Sequence, residues 1–242
     1  MSVSVLLPAD YSVHRRHPVL YFFGDYGGGP ALVTGQVATD PECLRLLDAA
    51  ELILVGVAHD RSFMIETDGA PKEVTTSSGM TFSTGRYESY FIEELLPFVE
   101  QTYSTLEDRS GRYIGGYSMG GYAALRIGLE HPDLFSRVGA HSPTLFTDRL
   151  PDASVSSFMY PDEELRDRRD PLRLAAARAA TPAVRYYIDT GAADVNRRAC
   201  ELMSEALTGP GSRCELHIEP GFHGRAYWAE HMADYLGFYT GA

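Results

Sequence analysis

The chain has 242 residues, 44% of them apolar, and carries 33 acidic against 21 basic side chains for a net charge of −12. That length and apolar share suit a globular protein with a sizeable core, and one domain over residues 1–242 is the expected organisation. The acidic balance and the lack of a basic run argue against nucleic acid and anionic membrane surfaces as partners.

The predicted elements alternate between strands and helices. Ser2–Leu7 alternates polar and apolar residues and ends at Pro8, as a strand does. Pro18–Phe23 and Leu52–Ala58 are continuous apolar runs, the pattern of strands buried on both faces. A glycine-rich loop, Gly24–Gly29, follows the first of these, and Pro41–Ala50 reads as a short helix. His59–Arg86 is long, polar and rich in Gly, Ser and Thr, which predicts a functional or mobile loop. Tyr87–Tyr103 places Phe91, Leu95, Phe98 and Val99 at helical spacing, with a kink expected at Pro97. Strands follow at Tyr113–Ile114, Arg137–His141, Val184–Asp189 and Cys214–Ile218, and helices at Pro171–Ala180, Asp194–Leu207 and Arg225–Tyr239. Ser142–Thr181 is otherwise irregular and is expected to form a small cap over the strand tips. The alternation implies an α/β fold, a mostly parallel central sheet with helices on both faces. Cys43, Cys200 and Cys214 show neither a disulfide framework nor zinc spacing. No apolar run spans a bilayer and no signal-peptide pattern opens the chain, so a cytoplasmic location is expected.

The chemistry concentrates in Arg112–Gly128, RYIGGYSMGGYAALRIG. Gly116, Ser118 and Gly120 form a G-x-S-x-G pattern between a strand-like run and a helix-like run. Such a turn is sharp and strained, needs small residues where strand and helix nearly touch, and presents the serine at its apex. The Met119 N–H, at the helix N-terminus, can donate to a developing oxyanion. A serine hydroxyl needs a base, and the base an orienting acid, in the chain order serine, acid, histidine. Of the later histidines, His131 ends the elbow helix, His217 lies in a strand and His231 in a helix. His223, in the turn Pro220–Gly224 after the last strand, is the expected base. Asp194, on the loop beyond the strand Val184–Asp189, is the favoured acid, and Asp189 at the strand end is the alternative. The second oxyanion donor should come from Gly24–Gly28, through the Tyr26 N–H. Asp25, His59, Tyr117, His141 and Phe222 are expected to line the substrate pocket. No metal or organic cofactor is implied.

At these residues the chain resembles the putative-esterase branch of the α/β-hydrolases, which includes esterase D (S-formylglutathione hydrolase), feruloyl and acetyl-xylan esterases, enterochelin esterases and the mycolyltransferases. The resemblance runs through VLLPADYS at Val5–Ser12, HPVLYFFGDYGG at His17–Gly28 and YESYFIEELLPFVEQTY at Tyr87–Tyr103. It continues through YIGGYSMGGYAALRIGLEHPDLF at Tyr113–Phe135, DTGAAD at Asp189–Asp194 and PGFHGRAYW at Pro220–Trp228. It implies an α/β-hydrolase fold and a serine carboxylesterase with the triad Ser118, Asp194 and His223 and oxyanion donors Met119 and Tyr26. It also leaves two rivals, an acyltransferase acting on an alcohol or sugar and a non-catalytic binding protein on the same scaffold. Two departures stand out. The family's His-Gly is replaced here by Gly24-Asp25, where an inward carboxylate would disfavour anionic substrates. The chain also opens at what corresponds to the family's second strand, so a bare sheet edge covered by a second copy in a homodimer is expected.

Overall fold

The computed structural model describes residues 2–147, 153–177, 183–209 and 212–241. Seven strands form one sheet in the order β1 (Val3–Leu6), β3 (Ile53–Val57), β2 (Val19–Phe23), β6 (Arg112–Tyr117), β7 (Arg137–His141), β8 (Val184–Gly191), β9 (Ser212–Glu219). Only β1 runs antiparallel, against β3; the other pairs are parallel. The continuous apolar runs fall where expected. Every residue of β2 and β3 is buried, because helices cover both faces of a parallel sheet.

The pleat sorts the core into two sets. Val19, Tyr21 and Phe23 of β2 face one layer, with Ile114, Val138 and Ile188. That layer is closed by α5 (Met119–Glu130), α9 (Arg197–Leu207) and the helical stretch 87–102. Leu20 and Phe22 face the other layer, closed by α1 (Ala31–Thr39), α2 (Pro41–Ala49), α10 (Arg225–Glu230) and α11 (Met232–Thr240). Helix α5 is enclosed all round: Met119 through Leu129 is buried. Even its Arg126 is 2% exposed, with its guanidinium held by Glu88, Glu130 and the Met64 carbonyl.

Several elements depart from expectation. Helix α1 was not foreseen. The long segment 59–86 contains a hairpin, β4 (Lys72–Thr75) against β5 (Thr81–Thr84). The kink expected at Pro97 is a π-helical turn, Tyr90–Leu95, between α3 (Tyr87–Ser89) and α4 (Leu96–Thr102). The wider turn shifts the helical phase, so Leu96 is buried and Phe98 is 55% exposed. The closing helix is broken at His231, whose backbone (φ −100°, ψ 7°) leaves the helical region. Segment 153–177 holds three short helices, α6 (Ala153–Met159), α7 (Glu163–Arg169) and α8 (Pro171–Ala177); the last three residues of the helix expected to reach Ala180 lie outside the described residues. Phe158 of α6 stacks on Phe82 of the hairpin at 4.6 Å, and the Tyr160 hydroxyl lies 3.1 Å from that of Tyr122 on α5. Among the described residues no helix is long and apolar enough to cross a membrane.

Candidate active site

The parallel strands bring their C-terminal ends to one rim of the sheet, and β2 lies beside β6 with Phe23 opposite Gly116. The loop after β2 therefore starts next to the residue that ends β6, and Ser118 sits between β6 and α5. Its backbone is in the left-handed region, φ 52°, ψ −110°. A non-glycine residue held there costs on the order of 1–3 kcal/mol and persists only where its surroundings over-determine it. Here they do: Ser118 N–H donates to the His141 carbonyl at 3.0 Å, and the Ser118 carbonyl accepts from Tyr122 and Thr144 at 3.1 and 3.0 Å. The two flanking glycines are required by contact. A Cβ on Gly116 would stand 2.4 Å from the Gly120 carbonyl carbon, and one on Gly120 would stand 2.4 Å from the carbonyl oxygens of both Phe23 and Gly24.

Ser118 Oγ is 2.8 Å from His223 Nε2, and His223 Nδ1 is 2.9 Å from Asp194 Oδ2. With an ionised Asp194 the imidazole carries its proton on Nδ1 and leaves the Nε2 lone pair facing the hydroxyl. Burial pushes the Asp194 carboxyl up. The hydrogen bonds from His223 and from the Asn196 N–H, with the Ser142 side chain beside it, outweigh this and hold it below the usual carboxylate range. The acid and histidine loops are bonded to each other through backbone. Ala192 and Ala193 N–H donate to the carbonyls of Glu219 and Gly221 at 2.7 and 2.9 Å. Trp228 meets the His223 ring edge-on at 5.3 Å and stacks flat on Tyr117 at 4.9 Å. Ser118 has a further partner, Thr144 Oγ1 at 2.9 Å.

The loop after β2 is held from three directions. His59 Nε2 lies 3.0 Å from the Gly24 carbonyl. The Tyr26 hydroxyl donates to the Thr81 carbonyl at 2.7 Å and accepts the Thr81 N–H at 2.9 Å, fastening the loop to the hairpin. Asp25 pairs with Arg225, at 2.7 and 2.9 Å. Beside the loop is a groove of about 620 Å³ lined by Tyr26, Gly27, Asp60, Arg61, Lys72 and Tyr87 among others, with the Arg61 guanidinium 5.0 Å over the Tyr26 ring.

A family model described as putative esterase matches residues 1–239. The chain belongs to the putative esterase family. Esterase Rv1288 of Mycobacterium tuberculosis is 31% identical over 142 residues, which are 58% of this chain and 28% of that protein, so the match spans well under half of that relative's length. Among solved structures, a ferulic acid esterase superposes with a TM-score of 0.75 at 22% identity, covering 98% of this chain and 91% of that one. An S-formylglutathione hydrolase from Agrobacterium tumefaciens gives 0.74 at 21% identity over 99% and 88%. FphF of Staphylococcus aureus, a fluorophosphonate-binding serine hydrolase, gives 0.69 at 17% over 98% and 91%. The fold is that of the α/β-hydrolases.

Against this putative-esterase framework, the pocket residues expected from the sequence sort into three groups. Phe222 stands beside His223 and is 73% exposed. Asp25 does not present a free carboxylate to the pocket: both its oxygens are taken by Arg225, which outweighs the effect of burial and holds the carboxyl below its usual range. His59, Tyr117 and His141 are corrected from pocket lining to interior: all three side chains are buried and none borders the groove beside Tyr26. Tyr117 donates to Gln36 Oε1 at 3.0 Å and borders a separate 360 Å³ cavity with Trp228 and Leu32. His141 Nδ1 lies 2.9 Å from Asp189 Oδ1, its ring stacks 3.7 Å from Tyr235, and burial lowers its pKa in spite of Asp189. Asp189 also accepts from the Tyr235 hydroxyl at 2.8 Å, and so ties β7, β8 and α11 together in the core.

Burial pushes His59 down to about 4 in spite of the Gly24 carbonyl, so it is neutral, donates from Nε2, and leaves Nδ1 without a partner among the described residues. His59, two residues beyond β3, thus grips the loop through the Gly24 carbonyl. The sequence carries no local signal for the roles of Thr144 and Arg225. The proline-rich stretch around Thr144 gives no periodic signal, and the partner of Arg225 lies at the other end of the chain.

Proposed function

We propose that the protein is a serine carboxylester hydrolase with Ser118, His223 and Asp194 as its triad. Supporting it most is one observation, the relay from Ser118 Oγ to His223 Nε2 at 2.8 Å and from His223 Nδ1 to Asp194 Oδ2 at 2.9 Å, at the apex of a strained elbow. Ser118 Oγ attacks the ester carbonyl carbon while His223 Nε2 takes its proton, and Asp194 stabilises the imidazolium. The carbonyl oxygen becomes an oxyanion. The Met119 N–H, at the start of α5, and the Tyr26 N–H are the assigned donors, and preorganised donors of this kind are worth about 3–4 kcal/mol each. Collapse of the intermediate breaks the bond to the alcohol oxygen, which leaves with the proton from His223. Water then adds to the acyl-enzyme with His223 as base, and the acid departs as Ser118 recovers its proton. The groove beside Tyr26 is assigned to the substrate, with Phe222 flanking the histidine side and the β4–β5 hairpin shaping one wall.

Hydrolysis of p-nitrophenyl acetate and butyrate by wild type and Ser118→Ala, together with labelling by a fluorophosphonate, tests this. Turnover that vanishes in S118A, with label on Ser118, is the expected result. Equal rates in the two proteins, or a wild type that neither turns over ester nor takes the label, would end the assignment.

A further inference from the structure

One ion pair near the site has no part in the proton relay. Arg225 Nε donates to Asp25 Oδ2 at 2.7 Å and Nη2 to Oδ1 at 2.9 Å, the two-pronged geometry in which a guanidinium and a carboxylate fit best. The two residues are 200 positions apart. Asp25 immediately precedes Tyr26, and Arg225 opens α10 two residues after His223. The carboxylate also shapes its own turn: Oδ1 accepts the Gly27 N–H at 3.2 Å, and the Asp25 carbonyl accepts the Gly28 N–H at 3.1 Å. The Tyr26 N–H, in contrast, has no backbone acceptor in this turn. Asp25 is well covered, with 12% of its side chain exposed, whereas the Arg225 side chain is 56% exposed and reaches across from the outside. The pair therefore joins the loop given the second oxyanion donor to the loop that carries the base, and it does so at the rim, where β2 and β9 are separated by three strands.

We propose that Asp25 and Arg225 act as a clasp that sets the distance between the Tyr26 N–H and the His223 ring. The proposal rests on the serine-hydrolase reading. Both members are positioning residues: neither touches the reacting atoms, and they act through the loops they hold. Lysine at 225 would keep the charge and lose the fork, giving one hydrogen bond in place of two.

The test compares Arg225→Gln, Asp25→Asn, the double variant and Arg225→Lys in steady-state hydrolysis of p-nitrophenyl butyrate, alongside thermal unfolding. A loosened donor should act on the transition state and little on ground-state binding. Each single charge-removing variant is expected to lose roughly 10–50-fold in kcat, less than the full loss of an oxyanion donor, with KM within about twofold. The double variant should be no slower than the worse single, since both break one link. R225K should fall between wild type and R225Q, and it carries the test should R225Q fail to fold. Singles with wild-type kcat, losses that add in the double variant, or an R225K as slow as R225Q would overturn the clasp while S118A still shows Ser118 to be the nucleophile. A wild type inactive on every ester and unlabelled by the fluorophosphonate would defeat the hydrolase reading itself, and the clasp with it.

Discussion

Replacing Gly120 by alanine pits a local preference against a tertiary contact. Gly120 is the second residue of α5, where alanine is intrinsically better than glycine by about 0.5–1 kcal/mol. The added Cβ would lie 2.4 Å from the carbonyl oxygens of Phe23 and Gly24, whereas ordinary contact begins at 3.4 Å, so about 1 Å of movement is required. Neither neighbour has a rotamer to change. Phe23 is locked in β2 between β3 and β6, which leaves the Gly24 loop to yield. Overpacking of this kind costs about 1–3 kcal/mol, more than the helix gains, and for a chain of this size a fall in Tm of about 3–8 °C is expected. Because the yielding loop leads to Tyr26, kcat should drop on the order of 100-fold, the usual consequence of misplacing a catalytic group by about 1 Å. Gly35→Ala is the control. Gly35 lies in α1 with nothing within 4 Å of its would-be Cβ, so Tm should rise by about 1–4 °C with kcat unchanged. Differential scanning fluorimetry and p-nitrophenyl butyrate kinetics on both variants decide the matter. A G120A protein with wild-type Tm and kcat would refute the contact between elbow and loop on which the reasoning stands.

Four further variants have expected outcomes. Asp194→Asn should lower kcat by about 10⁴ at nearly unchanged Tm by holding the imidazole in the wrong tautomer. Asp189→Asn should instead destabilise the fold by about 2–4 kcal/mol through His141 and Tyr235 and spare kcat; a reversal of the two phenotypes would move the acid to Asp189. His59, at an ordinary 6.5 when unfolded and about 4 when folded, binds its proton more readily in the unfolded chain. Unfolding free energy should therefore fall as pH drops from 6.5 towards 4, by up to about 1.4 kcal/mol per pH unit from this group. Buried His141 adds to the same slope, so His59→Gln should flatten it without abolishing it, and urea midpoints across pH 4–7 that match wild type would contradict this. Phe222→Ser, at an exposed position, should leave Tm unchanged and raise KM for p-nitrophenyl butyrate severalfold; an unchanged KM removes Phe222 from the pocket.

The elbow was legible because each step in it answers a local demand: two glycines where backbones meet, a serine between them, and a strand and helix on either side. Chain order and the loops beyond strand ends pointed to His223 and Asp194, and the structure joins both to Ser118 in one hydrogen-bonded chain. The rest depended on contacts that no short window contains. Helix α1 carries Val33, Thr34, Gly35 and Thr39, poor helix formers individually, and forms because Val33 and Val37 are buried against the sheet. The hairpin hides because alternation in β4 reduces to the single apolar residue Val74. His59 and His141 stand at or just beyond strand ends that face the site, which suggested pocket residues. For His141, the last residue of β7, one step of the pleat decides whether the ring turns up or inward, while His59 lies in the loop after β3; both are fully buried. Asp25 drew notice as a free carboxylate because nothing nearby in the chain foretells Arg225.

The enclosure of α5 on every side bears on how such an enzyme can diversify. A helix with no free flank offers substitutions almost no tolerance, so Ser118 keeps one address while the outlying β4–β5 hairpin and the short helices of 153–177 are at liberty to change. Libraries meant to redirect ester preference belong in those outlying pieces, and variants recovered from them should keep the same reactivity towards a fluorophosphonate while differing in the alcohols and acids they release.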